Sequence, residues 1–268
     1  MKYIYLSLAT LLLIPTAVSA QHSDIAFTYQ DDTIILIPDD DGCTAGLQIF
    51  SGTFPTSGFS TRFTENPGFL AEGMNSVVAG DGIQIELLQN SSTGTYLTYY
   101  DPVADAIAPT DANITIDDNM GDNTADLVIS NLDLSGDNPQ FIQTADGGNS
   151  VHSHINFFLS QEATTGAFGF QFRLVSDNGS IEDSEPTWLV FNFGMFPGDF
   201  CDTAIPAFMA IEDVLLGDVN GDGMVNLLDV APFVDLISMG GFLPEADVNG
   251  DGVVSLLDVS PFVQLLSG

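Results

Sequence analysis

Positive charge is almost absent from this sequence. It has three Lys plus Arg residues against 37 Asp plus Glu, which gives a formal net charge of −34 at pH 7. Because Lys2 lies at the N-terminus, only Arg62 and Arg173 carry a permanent positive charge in the rest of the chain. Such a surface repels nucleic acid and anionic lipid, so both are poor partners, whereas divalent cations are its natural counterions.

Long hydrophobic runs are missing beyond the N-terminus. Residues 1–20 combine Lys2, an apolar stretch over 4–14 and Val18-Ser19-Ala20, which is the order of charge, apolar core and small residues in a secretory signal peptide. After the expected cleavage behind Ala20, no stretch of about 18 apolar residues remains that could span a membrane. We therefore expect a secreted protein, located in the extracellular space or at the cell surface.

Cysteine is also scarce, with two residues, Cys43 and Cys201. In an oxidising compartment they can form a disulfide that closes a loop of roughly 160 residues. Two free buried thiols are the alternative, because the sequence alone does not show that the two side chains meet.

The chain is nevertheless rich in apolar residues, which make up 45% of it and include 20 Phe. Between Asp24 and about Phe193, apolar and polar residues alternate in short runs that Gly, Asp, Asn and Pro clusters separate. This pattern is typical of a β-sandwich, which we predict for residues 21–213, with a short helix at 197–209. Strands are expected at 24–29, 82–87, 112–116, 151–159, 167–175 and 188–193.

Two C-terminal segments, 217–238 and 246–267, repeat each other. In each copy, loop positions 1, 3, 5, 9 and 12 offer side-chain oxygens, position 6 is Gly, and position 7 offers its backbone carbonyl. This is the ligand pattern of a calcium loop. Position 1 is Asp218 in the first loop and Asp247 in the second. The predicted ligands of two calcium ions, at positions 1, 3, 5, 7, 9 and 12 in that order, are Asp218, Asn220, Asp222, Met224, Asn226 and Asp229 in the first loop and Asp247, Asn249, Asp251, Val253, Ser255 and Asp258 in the second.

These paired loops, each followed by one helix and lacking an entering helix, resemble type I dockerin repeats over residues 217–268, and we assign residues 214–268 to this calcium-binding module. The resemblance implies a paired F-hand fold with near two-fold symmetry, and docking onto a cohesin module through polar residues at loop positions 10 and 11. This chain instead has Leu227-Leu228 and Leu256-Leu257 there. A partner more apolar than cohesin, or burial against the protein's own β-sandwich, is therefore expected.

The three histidines are His22, His152 and His154. Residues two apart in a strand share a face, so His152 and His154 are expected opposite the core residues Val151 and Ile155. Two His at this spacing can hold one ion, and His22 would complete a zinc-like site. Ordinary surface histidines are the alternative.

Residues 22–195 also resemble a family of exported β-sandwich proteins that occur with varied surface-anchoring tails, including PEP-CTERM tails. The resemblance rests on four motifs: His22-Ser23-Asp24-Ile25, the segment 63–69, His152-Ser153-His154-Ile155-Asn156-Phe157, and the segment 188–194. Some relatives are associated with zinc-repressed expression, so the resemblance implies a link to zinc.

The usual catalytic arrangements are missing from the sequence. The chain after residue 20 contains no Lys for a P-loop or a Schiff base, no Gly-x-Ser-x-Gly elbow and no His-Glu-x-x-His helix. The sequence therefore favours a non-catalytic surface or extracellular protein with a binding β-sandwich and a calcium-dependent attachment module. A zinc-binding protein that uses the three His is one alternative. An accessory component of extracellular polysaccharide degradation, with a glycan as ligand, is another.

Overall fold

A computed structural model of the protein describes residues 24–38, 42–72, 76–117, 126–211, 216–220, 224–241, 243–249 and 253–267. The predicted signal peptide and His22 lie outside these residues. The protein is mainly β, with its sheets in the N-terminal part and helices near the C-terminus, as the sequence predicts. None of the helices in the described ranges is long and apolar enough to cross a membrane.

The described part of residues 24–211, the β region, contains sixteen strands. They are β1 Ile25–Gln30, β2 Thr33–Leu36, β3 Ile49–Thr53, β4 Phe63–Thr64, β5 Phe69–Ala71, β6 Gly82–Leu88, β7 Thr98–Asp101, β8 Ala106–Ala108, β9 Ile114–Asp117, β10 Leu127–Ile129, β11 Leu134–Ser135, β12 Gln140–Thr144, β13 Val151–Ser153, β14 Asn156–Leu159, β15 Gly166–Ser176 and β16 Thr187–Phe193.

These strands form three sheets around a shared apolar core. The strand orders are β13-β5-β1-β2, β11-β10-β9-β14-β4 and β12-β6-β15-β16-β3, and β7 pairs with both β15 and β8. Most pairs are antiparallel, but β1 runs parallel to β5 and β3 runs parallel to β16. Buried side chains from all three sheets belong to one cluster, which is the main core of the β region.

The central strands β15 and β16 are buried on both faces. Phe168, Phe170 and Phe172 face the main core, whereas Ala167 and Val190 on the opposite face contact a helical segment. That segment runs through α1 Pro197–Asp199, a π-helical stretch Phe200–Ala204, and α2 Ile205–Met209, which confirms the helix predicted at 197–209. Burial on both faces explains why β16 reads as a nearly continuous apolar run.

A disulfide joins Cys43 to Cys201, with 5.2 Å between their Cα atoms and a sequence separation of 158 residues. Cys43 lies in a short 3₁₀ turn, Gly42–Thr44, ahead of β3, and Cys201 lies in the helical segment. The disulfide therefore links the helical segment to the turn that precedes β3, an outer strand of the third sheet. The alternative of two free thiols is wrong.

The predicted strand at 151–159 is divided in the structure. β13 pairs with β5 in the first sheet, whereas β14 pairs with β9 and β4 in the second, so the chain passes from one sheet to another at His154 and Ile155. The predicted core face is confirmed, because Val151, Ile155 and Phe157 are fully buried.

The C-terminal repeats, defined here as the described part of residues 216–267, contain α3 Val230–Met239 and α4 Val259–Ser267. They have a hydrophobic core of their own, in which the rings of Phe233 and Phe262 stack at 4.1 Å between centroids. These two residues occupy equivalent positions in the two copies. The predicted domain boundary between residues 213 and 214 falls outside the described residues.

Candidate functional sites

The two repeat loops are closed by equivalent hydrogen bonds from backbone amides to an acidic side chain. In the first copy, Asp229 Oδ1 accepts from the N–H of Asn220 at 3.0 Å, and its Oδ2 accepts from the N–H of Asn226 at 2.8 Å. In the second copy, Asp258 accepts from Asn249 and Ser255 at the same two distances. The carboxylate at position 12 therefore connects position 3, in the first half of each loop, with position 9 in the second half.

Each loop also prepares the start of the helix that follows it. Asn226 Oδ1 accepts from the N–H of Leu228 at 2.8 Å, and Ser255 Oγ accepts from the N–H of Leu257 at 3.1 Å. Such side-chain caps satisfy amides that have no partner within the helix. The side chain at position 9 of each loop thus caps the start of the helical segment that follows the loop.

Four loop carboxylates are buried: Asp218 and Asp247 are less than 10% exposed, and Asp229 and Asp258 are fully buried. Burying carboxylates is costly unless positive charge accompanies them. Residues 216–268 contain no Lys, Arg or His. The chemistry of this donor set, all oxygen and all anionic or neutral, therefore fits calcium.

The two arginines of the β region are engaged locally. Arg62 donates to the backbone carbonyls of Ser160 and Ala163, and Arg173 forms ion pairs with Glu86 and Asp183. Among the residues that the structure describes, neither arginine contacts a loop carboxylate of the repeats. This supports a metal ion as the source of positive charge in the loops.

The other predicted calcium ligands divide into two groups. The side chains of Met224 and Val253 are exposed, which agrees with a role for their backbone carbonyls rather than their side chains. Asp222 and Asp251, at position 5, lie outside the described residues.

The leucines at loop positions 10 and 11 are exposed in both copies. The exposed fractions are 78% and 68% for Leu227 and Leu228, and 78% and 70% for Leu256 and Leu257. The expected alternative, burial against the β-sandwich, is not what the structure shows. Each copy therefore presents an apolar pair to the surroundings at equivalent positions.

A second cluster of metal-binding side chains lies in the β region and consists of Asp24, His152 and His154. One potential ligand atom from each lies within 4.8 Å of the other two. The structure thus brings His152 and His154 together as predicted, with 5.4 Å between ring centroids. His22, the predicted third ligand, lies outside the described residues.

Asp24 is the residue that the sequence-based site missed. It lies two residues after His22, on the strand face opposite Ile25. This spacing is the feature of the sequence from which Asp24 could have been included in the predicted site. A search for histidines alone overlooks a carboxylate that the sheet places beside them.

Comparison with known proteins gives one family match. Residues 216–267 match the family described as dockerin type I domain, and no curated protein matches the chain. Dockerin domains bind calcium, and in general they bind cohesin partners. The match does not reach the β region, whose resemblance to exported, variably anchored surface proteins stays a prediction. The C-terminal repeats are a dockerin-like module of type I, the calcium-dependent attachment module of an extracellular protein.

Proposed function

We propose that this is an exported, non-catalytic protein whose β region is a binding domain and whose dockerin-like module attaches it to a partner outside the cytoplasm. The observation that carries the proposal is the burial of Asp218, Asp229, Asp247 and Asp258 in a segment without basic side chains. Two calcium ions, one in each loop, supply the compensating charge. The ligands are those assigned from the repeat pattern.

The disulfide supports export. Structural disulfides persist in oxidising compartments and are rare in the cytosol, and Cys43 pairs with Cys201. The predicted signal peptide over residues 1–20 agrees with the same compartment.

The exposed leucine pairs determine what kind of partner fits the module. Polar side chains at these positions would suit a polar partner surface, whereas four exposed leucines gain free energy only when an apolar surface covers them. Because residues 216–268 carry acidic but no basic side chains, we propose a partner with an apolar face and a neutral or basic rim. A typical cohesin surface is therefore a poor match.

Calcium titration of the chelator-treated full chain by calorimetry tests the module. We expect two calcium ions per chain and a gain in helical circular dichroism on binding. Stoichiometry below two, or binding without any change in helix signal, would contradict this part of the proposal.

A surface-retention assay tests attachment. The protein is incubated with chelator-washed extracellular surface fractions of the producing cells, in calcium or in EGTA. Retention should require calcium and should be lost when Leu227, Leu228, Leu256 and Leu257 are all replaced by Ser. Val103→Ser is the control, because Val103 is an apolar residue of the β region that is 94% exposed. Equal retention in EGTA and in calcium would contradict calcium-dependent attachment through the dockerin-like module.

A further inference from the structure

The β region offers a metal site that differs in chemistry from the calcium loops. Asp24 precedes β1, His152 lies in β13, and β5 lies between these two strands and pairs with both. We propose that Asp24, His152 and His154 together bind one divalent transition-metal ion, and that zinc is its natural occupant. This site is independent of the dockerin-like module.

The distances among the donor atoms suit a small ion. The Nε2 atom of His152 lies 3.4 Å from Asp24 Oδ2, and the Nε2 atom of His154 lies 3.9 Å from Asp24 Oδ1. Ligands at about 2.0–2.1 Å from a tetrahedral zinc ion lie about 3.4 Å from one another. Small side-chain movements are therefore enough to place all three donors around one ion.

A backbone contact determines which nitrogen of His154 faces the ion. The Nδ1 atom lies 2.9 Å from the carbonyl oxygen of Glu65. A carbonyl only accepts hydrogen bonds, so Nδ1 carries a proton, and in the neutral imidazole Nε2, on the side of Asp24, then carries the lone pair. Metal-bound histidines commonly donate their second N–H to a carbonyl or carboxylate in this way, which fixes the ring orientation.

Gly68 allows the three side chains to approach one another. Its N–H donates to Asp24 Oδ1 at 3.1 Å. A Cβ at this position would lie 2.7 Å from Cε1 of His154 and 2.9 Å from Asp24 Oδ1, both closer than real Cβ contacts. The absence of a side chain at position 68 is therefore a condition for the site.

The donor set selects the metal. Two imidazole nitrogens and one carboxylate favour zinc and related transition metals, whereas calcium and magnesium prefer oxygen donors alone. The Asp24 side chain is 11% exposed, so its charge is only weakly screened by water. An ion pair between Asp24 and protonated histidines is the competing explanation, and it requires no metal.

Zinc titration in excess calcium separates these explanations. The full chain is treated with chelator, saturated with calcium to fill the C-terminal loops, and titrated with zinc in a calorimeter. Cobalt absorption provides a second readout of nitrogen and oxygen coordination. We expect one zinc ion per chain. A lack of zinc binding would overturn the proposal even if two calcium ions bind, and zinc binding would support it even if the calcium loops failed.

Variants show whether the bound zinc lies at this cluster. Replacing both His152 and His154 by Ala should abolish zinc binding. Asp24→Asn keeps an oxygen acceptor for the N–H of Gly68 but removes the charge, and should weaken binding at least about tenfold. Unchanged zinc affinity in the double histidine variant would place the ion elsewhere and overturn the proposal.

Gly68→Ala tests the geometry without removing a ligand. The added Cβ should force Asp24 and His154 apart and weaken zinc binding roughly 10–100-fold. Asp133→Asn, which removes one exposed acidic charge elsewhere in the β region, is the control for net charge and should bind zinc normally. Equal weakening in the control would show that zinc binds by diffuse charge and would overturn the site. Fluorescence of Trp188 verifies that each variant is folded.

Discussion

At the scale of single residues, the dockerin-like module depends on carboxylates that have two roles at once. Asp229 and Asp258 accept two backbone N–H groups each, and these bonds close the loops. As ligands at position 12 they would also bind calcium. Their loss should therefore affect both the metal site and the fold around it.

Asp229→Asn is expected to reduce the calcium stoichiometry from two to one, or to weaken one site roughly tenfold or more, because Asn keeps the size but loses the charge. Calorimetric titration against the unmodified chain measures this. Asp235→Asn, on the exposed surface of α3, is the matched control and should keep two sites of normal affinity. Two sites of unchanged affinity in Asp229→Asn would show that position 12 is not a ligand.

Tyr29 is a residue whose protonation should affect stability. Burial, together with the nearby negative charge of Asp81, raises its pKa from 10.0 to about 12, and its hydroxyl lies 3.1 Å from Asp81 Oδ2. A raised pKa means that the neutral phenol is favoured in the folded state. The resulting stabilisation is complete below pH 10 and is lost as pH rises from 10 to 12.

Replacing Tyr29 by Phe should therefore flatten the decrease in stability between pH 10 and 12, by about 1 kcal/mol after solvent screening of this partly exposed ring. Urea unfolding followed by Trp188 fluorescence at each pH provides the measurement. Tyr96→Phe is the control, because Tyr96 is a partly buried tyrosine that packs on the same core. A pH profile that stays as steep in Tyr29→Phe would contradict the assignment.

At the scale of elements, the sequence predicted the strands with strong alternation better than the connections between them. β1, β6, β9, β15 and β16 all form within a few residues of their predicted positions, because alternation reports directly which face is buried. The break between β13 and β14 was not predicted. The burial pattern of 151–159 is continuous across it, and only pairing partners distant in sequence reveal that the chain changes sheets.

The two candidate sites differ in predictability for a related reason. The calcium ligands lie within short local loops, so their spacing is visible in the sequence. The cluster in the β region joins Asp24 to His152 and His154 across β5, more than 120 residues apart in the chain. Such a site depends on how β1, β5 and β13 pair in the sheet, and the spacing of the histidines does not predict this pairing.

The helical segment over β15 and β16 is another element whose attachment can be tested. It packs through Phe208 on Trp188, with 5.3 Å between ring centroids, and the disulfide through Cys201 holds it in place. Replacing both Cys43 and Cys201 by Ser should lower the free energy of unfolding of the β region by about 2–5 kcal/mol, because the bridge closes a long loop. Urea unfolding followed by Trp188 fluorescence measures the loss. An unchanged midpoint would show that apolar packing alone fixes the segment.

At the scale of the whole molecule, the protein combines two cores with different sources of stability. The β region has a large apolar core and a disulfide. The C-terminal repeats have a small core centred on Phe233 and Phe262, surrounded by buried carboxylates. A core of that size contributes little stability by itself, so the repeats should depend on calcium to fold.

Chelation should therefore unfold one part of the molecule and spare the other. Trp188 is the only Trp and no Tyr lies after residue 100, so Trp and Tyr signals do not come from the repeats, while helical circular dichroism is weighted towards the repeats. In excess EGTA we expect the helix signal to lose its cooperative transition, whereas the thermal midpoint from Trp188 stays the same. Calcium at 100 times its Kd should restore roughly 2.7 kcal/mol per site to the repeats. If the Trp188 midpoint fell together with the helix signal, the two parts would unfold as one unit and calcium would stabilise the whole chain.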